Sequence, residues 1–209
     1  MPITNNSTNT TCLAEIDNFV CNGKEIDPGW RVFVGFDNYQ KLFSNQYFRV
    51  YSGIDVIGAE IGGSAKNIIA LAAGACHGLG YGDNTMAALV TRGLEEIIRL
   101  GIFFGAQRAT FSGLSGMGDL VVTAFSQHSR NRQVGERIGK GEHLSDILDS
   151  MEMVAEGVET ARSIYELTQK HNIDMPICEQ IYHVLFEDVS PRKAILKLMG
   201  RELVDEHSV

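Results

Sequence analysis

From residue 55 onward, apolar and small residues recur every three or four positions, the spacing of one face of an α-helix. Residues 55–79 carry Ile57, Ile61, Ala65, Ile68 and Ala72 near one face, and Gly80-Tyr81-Gly82 ends that pattern. Asp83 is placed to cap a second helix running to Phe104, Ser115 a third over residues 116–125, and Ser129 a fourth over residues 130–139. Four more helices are predicted over residues 144–151, 158–171, 176–188 and 191–199, the last with Ser190 as N-cap and Pro191 in its first turn. Ahead of this block the period changes. Residues 30–36 (WRVFVGF) alternate, and residues 47–51 (YFRVY) are aromatic and β-branched, so both read as strands. The pattern predicts a mainly α protein, with an all-helical block of roughly 150 residues behind a short irregular or strand-containing N-terminal segment.

Composition sharpens the division. Residues 1–42 hold three of the 22 glycines and the only Trp, whereas residues 51–118 hold 14 glycines among Ala, Ile and Leu. Glycine within a helix costs about 1 kcal/mol relative to alanine, so these positions need a reason. Close packing of helices accounts for most of them. Gly62 and Gly63 differ, because they lie one turn before Lys66 and leave room for another backbone or a ligand. With 18 Lys+Arg against 26 Asp+Glu the net charge is −8 and the pI about 5.2, which argues against general nucleic-acid binding. The most apolar stretch, residues 61–82, is interrupted by glycines and carries Lys66, Asn67 and His77, so stable membrane insertion is not expected. No secretory leader is evident, and Cys12, Cys21, Cys76 and Cys178 form neither a CxxC pair nor a zinc pattern. A reducing cytoplasm is the expected setting; Cys12 and Cys21 could pair in an oxidising one.

Three groups of residues could carry chemistry. Lys66 is the only formally charged side chain between Glu60 and Asp83. An ammonium on so apolar a helix needs a partner, a bound anion or a lowered pKa, and suits proton exchange with a substrate oxygen; otherwise it reaches the surface along its alkyl stem. Asp119 and Thr123 are four apart and share a helical face, offering a carboxylate and a hydroxyl to a polyol, although an acidic residue at a helix start also gains simply from the macrodipole. Ser129-Arg130-Asn131-Arg132 joins a capping serine and two arginines to a helix N-terminus, which either binds an anion such as phosphate or is a solvated arginine pair. His77 and His128 are isolated and receive no role, and no metal site is expected. No G-x-G-x-x-G turn lies between a strand and a helix.

Together, LFSNQYFRVYSGIDVIGAEIGGSAKNIIALAAGACHGLGYGDNTMAALVTRGLEEIIRLG, FSGLSGMGDLVVTAFSQHSRNRQVGERIGKG and MVAEGVETA closely resemble the bacterial NAD(P)-dependent glycerol-3-phosphate dehydrogenase family over residues 42–200. The resemblance implies a multi-helix C-terminal domain of the 6-phosphogluconate dehydrogenase-like type. It also implies interconversion of sn-glycerol 3-phosphate and dihydroxyacetone phosphate by hydride transfer with NAD(P)H. In that reading Lys66 is the catalytic lysine, Asn67 holds substrate beside it, and Asp119, Thr123, Ser129, Arg130 and Asn131 complete the substrate site. Arg130, Val154 and Glu156 approach the cofactor. The family's N-terminal Rossmann domain, with its Gly-rich turn, has no counterpart in residues 1–41; residues 31–39 (RVFVGFDNY) instead resemble a short segment of sugar-transporter permeases. The expected organisation is an unassigned segment over 1–41, a remnant strand and linker over 42–53, a substrate-binding and dimer-forming helical domain over 54–200, and a tail over 201–209. The expectations are a homodimer acting on a small molecule, and a chain that is inactive or weakly active alone. The alternative is a non-catalytic helical dimerisation module derived from the same enzyme.

Overall fold

The computed structural model describes residues 51, 53–151 and 154–202 in full and the backbone of residues 2–5, 10–15, 18–21 and 24–25. Contacts divide the chain into two units, Met1–Gly53 and Ile54–Val209. In the first, β1 (Pro2–Asn5), β2 (Thr10–Glu15), β3 (Asn18–Cys21) and β4 (Lys24–Glu25) form an antiparallel meander in chain order. The hydrophobic pattern gave no strand here, because Thr and Asn interrupt any apolar alternation in β1 and β2, β4 has no apolar residue, and no strand exceeds six residues. One signal was present: Asn22-Gly23, a strong hairpin dipeptide, separates β3 from β4. The strand expected over residues 30–36 lies outside the described residues, as does all of that over 47–51 except Tyr51, which is in no regular element.

The second unit is helical. Its elements are α1 (Val56–Gly78), α2 (Asp83–Phe103), α3 (Arg108–Phe111), a π-helical turn (Leu114–Gly118), α4 (Asp119–Phe125), α5 (Arg130–Gly139), α6 (Leu144–Asp149), α7 (Glu156–His171), α8 (Pro176–Phe186) and α9 (Pro191–Met199). The central helix is α1. It is long and apolar enough by length and composition to cross a membrane, but half of its apolar window is packed inside the protein, against α2, α4, α5 and α7. Ile68, Ile69, Leu71 and Ala73 of α1 join Ile97, Phe111, Leu120, Val134 and Cys178 in one core.

Several helix starts follow their caps. Ser129 Oγ accepts from the Arg132 amide at 3.3 Å and Ser190 Oγ from the Lys193 amide at 3.4 Å, fixing α5 and α9 where the sequence placed them. Asp55 lies outside α1 as its N-cap. Its carboxylate accepts from the Gly58 amide at 2.9 Å, the Gln107 amide at 2.8 Å and the Thr110 hydroxyl at 2.5 Å, and the Thr110 bond chiefly holds it below the usual carboxylate range. Two expected caps are corrected. Asp83 is the first residue of α2, whose N-cap is Gly82, and Ser115 lies inside the π-helical turn rather than capping α4. The run 116–125 has a helical apolar pattern, and the wider π turn absorbs its first residues. α3, a single turn of four residues, was too short to show a period.

Candidate functional site

The helix that carries Lys66 is apolar and buried on both sides of it, with Ala65, Ile68, Ile69 and Ala70 all fully enclosed. The lysine finds its partner 53 residues later: its Nζ donates to Oδ2 of Asp119 at the head of α4, with the two side chains 21% and 35% exposed. The approach depends on small residues. A Cβ at Gly62 would stand 3.1 Å from the carbonyl of Ser115, and one at Gly116 would collide with the backbone of Phe111. The π turn therefore lies close against α1 one helical turn before Lys66, and Asp119 follows it directly. A π turn that re-aims one residue is a frequent feature of functional sites. Gly62 thus serves packing. Gly63 does not, because a Cβ there meets nothing within 4 Å, so open space adjoins it one turn before the ion pair.

Thr123, one turn along α4, donates its hydroxyl to the carbonyl of Asp119 at 2.6 Å and lies 3.5 Å from Asp119 Oδ1. Its single proton is committed to the backbone, so it offers a ligand its lone pairs only. The structure thus brings Lys66, Asp119 and Thr123 together.

A second group gathers around Asn67. Asn131, buried in the first turn of α5, accepts the Gly157 amide on its Oδ1 at 2.9 Å. A Cβ at Gly157 would lie 2.7 Å from that Oδ1 and 3.0 Å from the Asn67 carbonyl, so α1, α5 and the start of α7 meet at one glycine. With Oδ1 committed, the amide group of Asn131 is the part left to donate. Sequence reasoning passed over Gly157. It is the glycine of MVAEG, and only the three-way packing reveals what it does. Glu156 beside it heads α7 and is exposed, and Val154 is 72% exposed.

The arginines do not form a solvated pair. Arg132 is buried, its Nη1 is 3.6 Å from Glu136 Oε2, and its Nε has no partner. Arg130 is half-buried at the head of α5, with Ser129 capping the same turn, and no ion pair is recorded for Arg130 among the described residues. His77 lies 3.3 Å from Glu136, on the far side of α5 from its cap in sequence, and His128 is exposed. Among the described residues no three His, Cys, Asp or Glu side chains gather as a metal site.

For a nicotinamide cofactor the donors are limited. Arg130, Val154 and Glu156 could line one edge, but the Gly157 amide in the first turn of α7 is taken by Asn131. Among the described residues no Gly-rich strand-to-helix turn is present to cradle a pyrophosphate. The donor set fits an edge of such a cofactor and not its phosphates.

This helical architecture, with a lysine of its central helix paired to a carboxylate at the head of α4, is that of the C-terminal domain of a dehydrogenase, and comparison with known proteins specifies which. Residues 55–196 match the family described as NAD-dependent glycerol-3-phosphate dehydrogenase C-terminus, and the chain belongs to that family. It is 57% identical over 168 residues to glycerol-3-phosphate dehydrogenase (NAD(P)+) of Limosilactobacillus reuteri, covering 80% of this chain and 50% of the relative. A similar enzyme of Salinibacter ruber is 55% identical over 168 residues, 80% of this chain and 49% of its own. Among solved structures, glycerol-3-phosphate dehydrogenase of Coxiella burnetii matches at 40% identity with a TM-score of 0.74, over 78% of this chain and 51% of that one. The yeast enzyme matches at 27% identity and 0.71, over 84% and 52%. The chain spans about half the length of the curated relatives it matches.

Proposed function

We propose that the helical unit is the substrate-binding half of a glycerol-3-phosphate dehydrogenase, interconverting sn-glycerol 3-phosphate and dihydroxyacetone phosphate. The observation that carries this reading is the Lys66–Asp119 pair, whose lysine is the lone charge on the apolar stretch of the central helix, beside the open space at Gly63. The nicotinamide cofactor, when bound, would supply a hydride to the substrate's C2 carbon as NAD(P)H, or take one from it as NAD(P)+. Lys66 holds the proton that the C2 oxygen gains on reduction and receives it back on oxidation, and the Asp119 carboxylate keeps the ammonium aimed. Asp119 and Thr123 offer acceptors to the substrate hydroxyls, while Asn67 and the free amide of Asn131 orient it. Ser129 and Arg130 at the head of α5 balance the phosphate charge. Arg130, Val154 and Glu156 flank the nicotinamide. A cytoplasmic homodimer is part of the same reading.

The test is reconstitution. The purified chain is mixed with a separately produced nucleotide-binding half of a relative, and reduction of dihydroxyacetone phosphate by NADPH is followed. The chain alone turns over little or nothing, the mixture turns over, and Lys66→Ala lowers its kcat by at least about 100-fold, the scale of a general acid. Robust turnover by the chain alone, or no effect of Lys66→Ala on a working mixture, overturns the assignment; a mixture in which this chain contributes only association returns the reading to an interaction module.

A further inference from the structure

The four cysteines are of two kinds. Cys76 and Cys178 are unpaired and buried, and burial pushes both thiols up, to about 11 for Cys76, so neither is poised to react. Cys12 and Cys21 instead occupy directly paired register positions of β2 and β3. Only two residues separate these strands, so Glu15 and Asn18, which close the connection, form a hydrogen-bonded pair. Alternation along the antiparallel ladder then makes Leu13–Val20 hydrogen-bonded and places Cys12–Cys21 at a non-hydrogen-bonded pair. Paired Cα atoms at such positions are about 4.5 Å apart, which falls in the range of about 4.4–6.8 Å that a disulfide bridges.

We propose that Cys12 and Cys21 form a reversible cross-strand disulfide that staples the N-terminal sheet, with a small-molecule disulfide such as oxidised glutathione as the oxidant. The Cys21 thiolate attacks one glutathione sulfur and releases the other glutathione as thiolate. The Cys12 thiolate then attacks Cys21 of the mixed disulfide and releases the second glutathione. Two protein thiols lose two electrons and two protons, and one glutathione disulfide becomes two thiols. The register selects this pair from four cysteines, because the other two are enclosed in the helical core.

The full chain is equilibrated in glutathione buffers of graded ratio, quenched, alkylated and mapped by mass spectrometry without reduction. The expected product is an intramolecular Cys12–Cys21 peptide lighter by two hydrogens, with Cys76 and Cys178 alkylated only after denaturation. A register control, the double variant Cys12→Ser/Leu13→Cys, moves one thiol to the opposite face of the pair. A structureless segment would close both pairs almost equally, since loop-closure entropy hardly changes over one residue. The sheet should favour the native pair by at least about tenfold in its equilibrium constant against glutathione. Equal constants for the two pairs, persistent glutathione adducts, links between molecules, or no oxidation at all would each overturn the proposal.

Discussion

A methyl group added at Gly62 would meet the Ser115 carbonyl at 3.1 Å, while one added at the next residue would meet nothing within 4 Å. That contrast separates packing from function at adjacent positions of one helix. Gly63→Ala should raise stability by up to about 1 kcal/mol, because alanine is the better helix former and the space is open. If that space admits the substrate, the same variant should raise KM for dihydroxyacetone phosphate in the reconstituted mixture while thermal unfolding moves upward. An unchanged KM would mean the opening is not the pocket. Gly157 presents the reverse case. Its missing side chain is what lets Asn131 Oδ1 reach the amide, so Gly157→Ala displaces a buried hydrogen bond and crowds the Asn67 carbonyl. It should lower stability by about 1–3 kcal/mol in denaturant unfolding. Lys66 was conspicuous in the sequence as a lone charge among apolar residues, and so was its need for a partner. Its partner's identity was less visible, because Asp119 also reads as a favourable first-turn acid.

At the scale of elements, the helical half depends on how closely α1 and α5 cross. Cβ atoms at Gly74 and Gly78 would fall well inside contact with the Arg132 and Glu136 carbonyls, and those at Gly135 and Gly139 with the Leu71 and Ala75 carbonyls. Four glycines on two helices thus let backbone lie against backbone, and this close crossing places the head of α5, with Ser129 and Arg130, beside the helix that carries Lys66 and Asn67. Gly135→Ala should therefore cost about 1–3 kcal/mol by overpacking, despite alanine's better helix propensity, and lower the melting temperature in a calorimetric scan. Stabilisation by that variant would show that the crossing has slack. Helix identity and most boundaries were legible, since capping serines and helical-period apolar residues are local signals. The misplacements lie where local signals conflict or vanish. The π turn obeys the same apolar spacing as an α-helix, α3 is one turn long, and the four strands are only two to six residues long, with a pairing that is a property of neighbours rather than of each strand.

For the helical unit as a whole, one buried carboxylate links distant parts of the fold to solution pH. Glu96, 3% exposed on α2, accepts the Ile177 amide at 2.7 Å and the Cys178 amide at 3.1 Å, and so caps the start of α8 from another helix. The sequence gives no hint of this, because a glutamate beside Glu95 on an amphipathic helix reads as surface, and its partners lie 81 and 82 residues away. Burial outweighs those two bonds and pushes its pKa from 4.5 to about 7. The sign follows from linkage. Between about pH 4.5 and 7 the folded chain retains a proton on Glu96 that the unfolded chain has released, so this group makes stability fall as pH rises through that window and level off above it. The full swing is on the order of 3 kcal/mol. Asp55 and Glu136, held below the usual carboxylate range, act in the opposite sense and at lower pH, contributing stability that is lost as they protonate. Subtracting the profile of Glu96→Gln from that of the parent chain cancels these shared contributions. The difference in unfolding free energy should decline from pH 5 to pH 7 and flatten beyond. The amide has only one acceptor oxygen for two backbone donors, so an offset between the proteins is expected at every pH. A difference that stays flat across the window would mean that Glu96 keeps its charge in the core, held by the amides of α8 more strongly than burial opposes it.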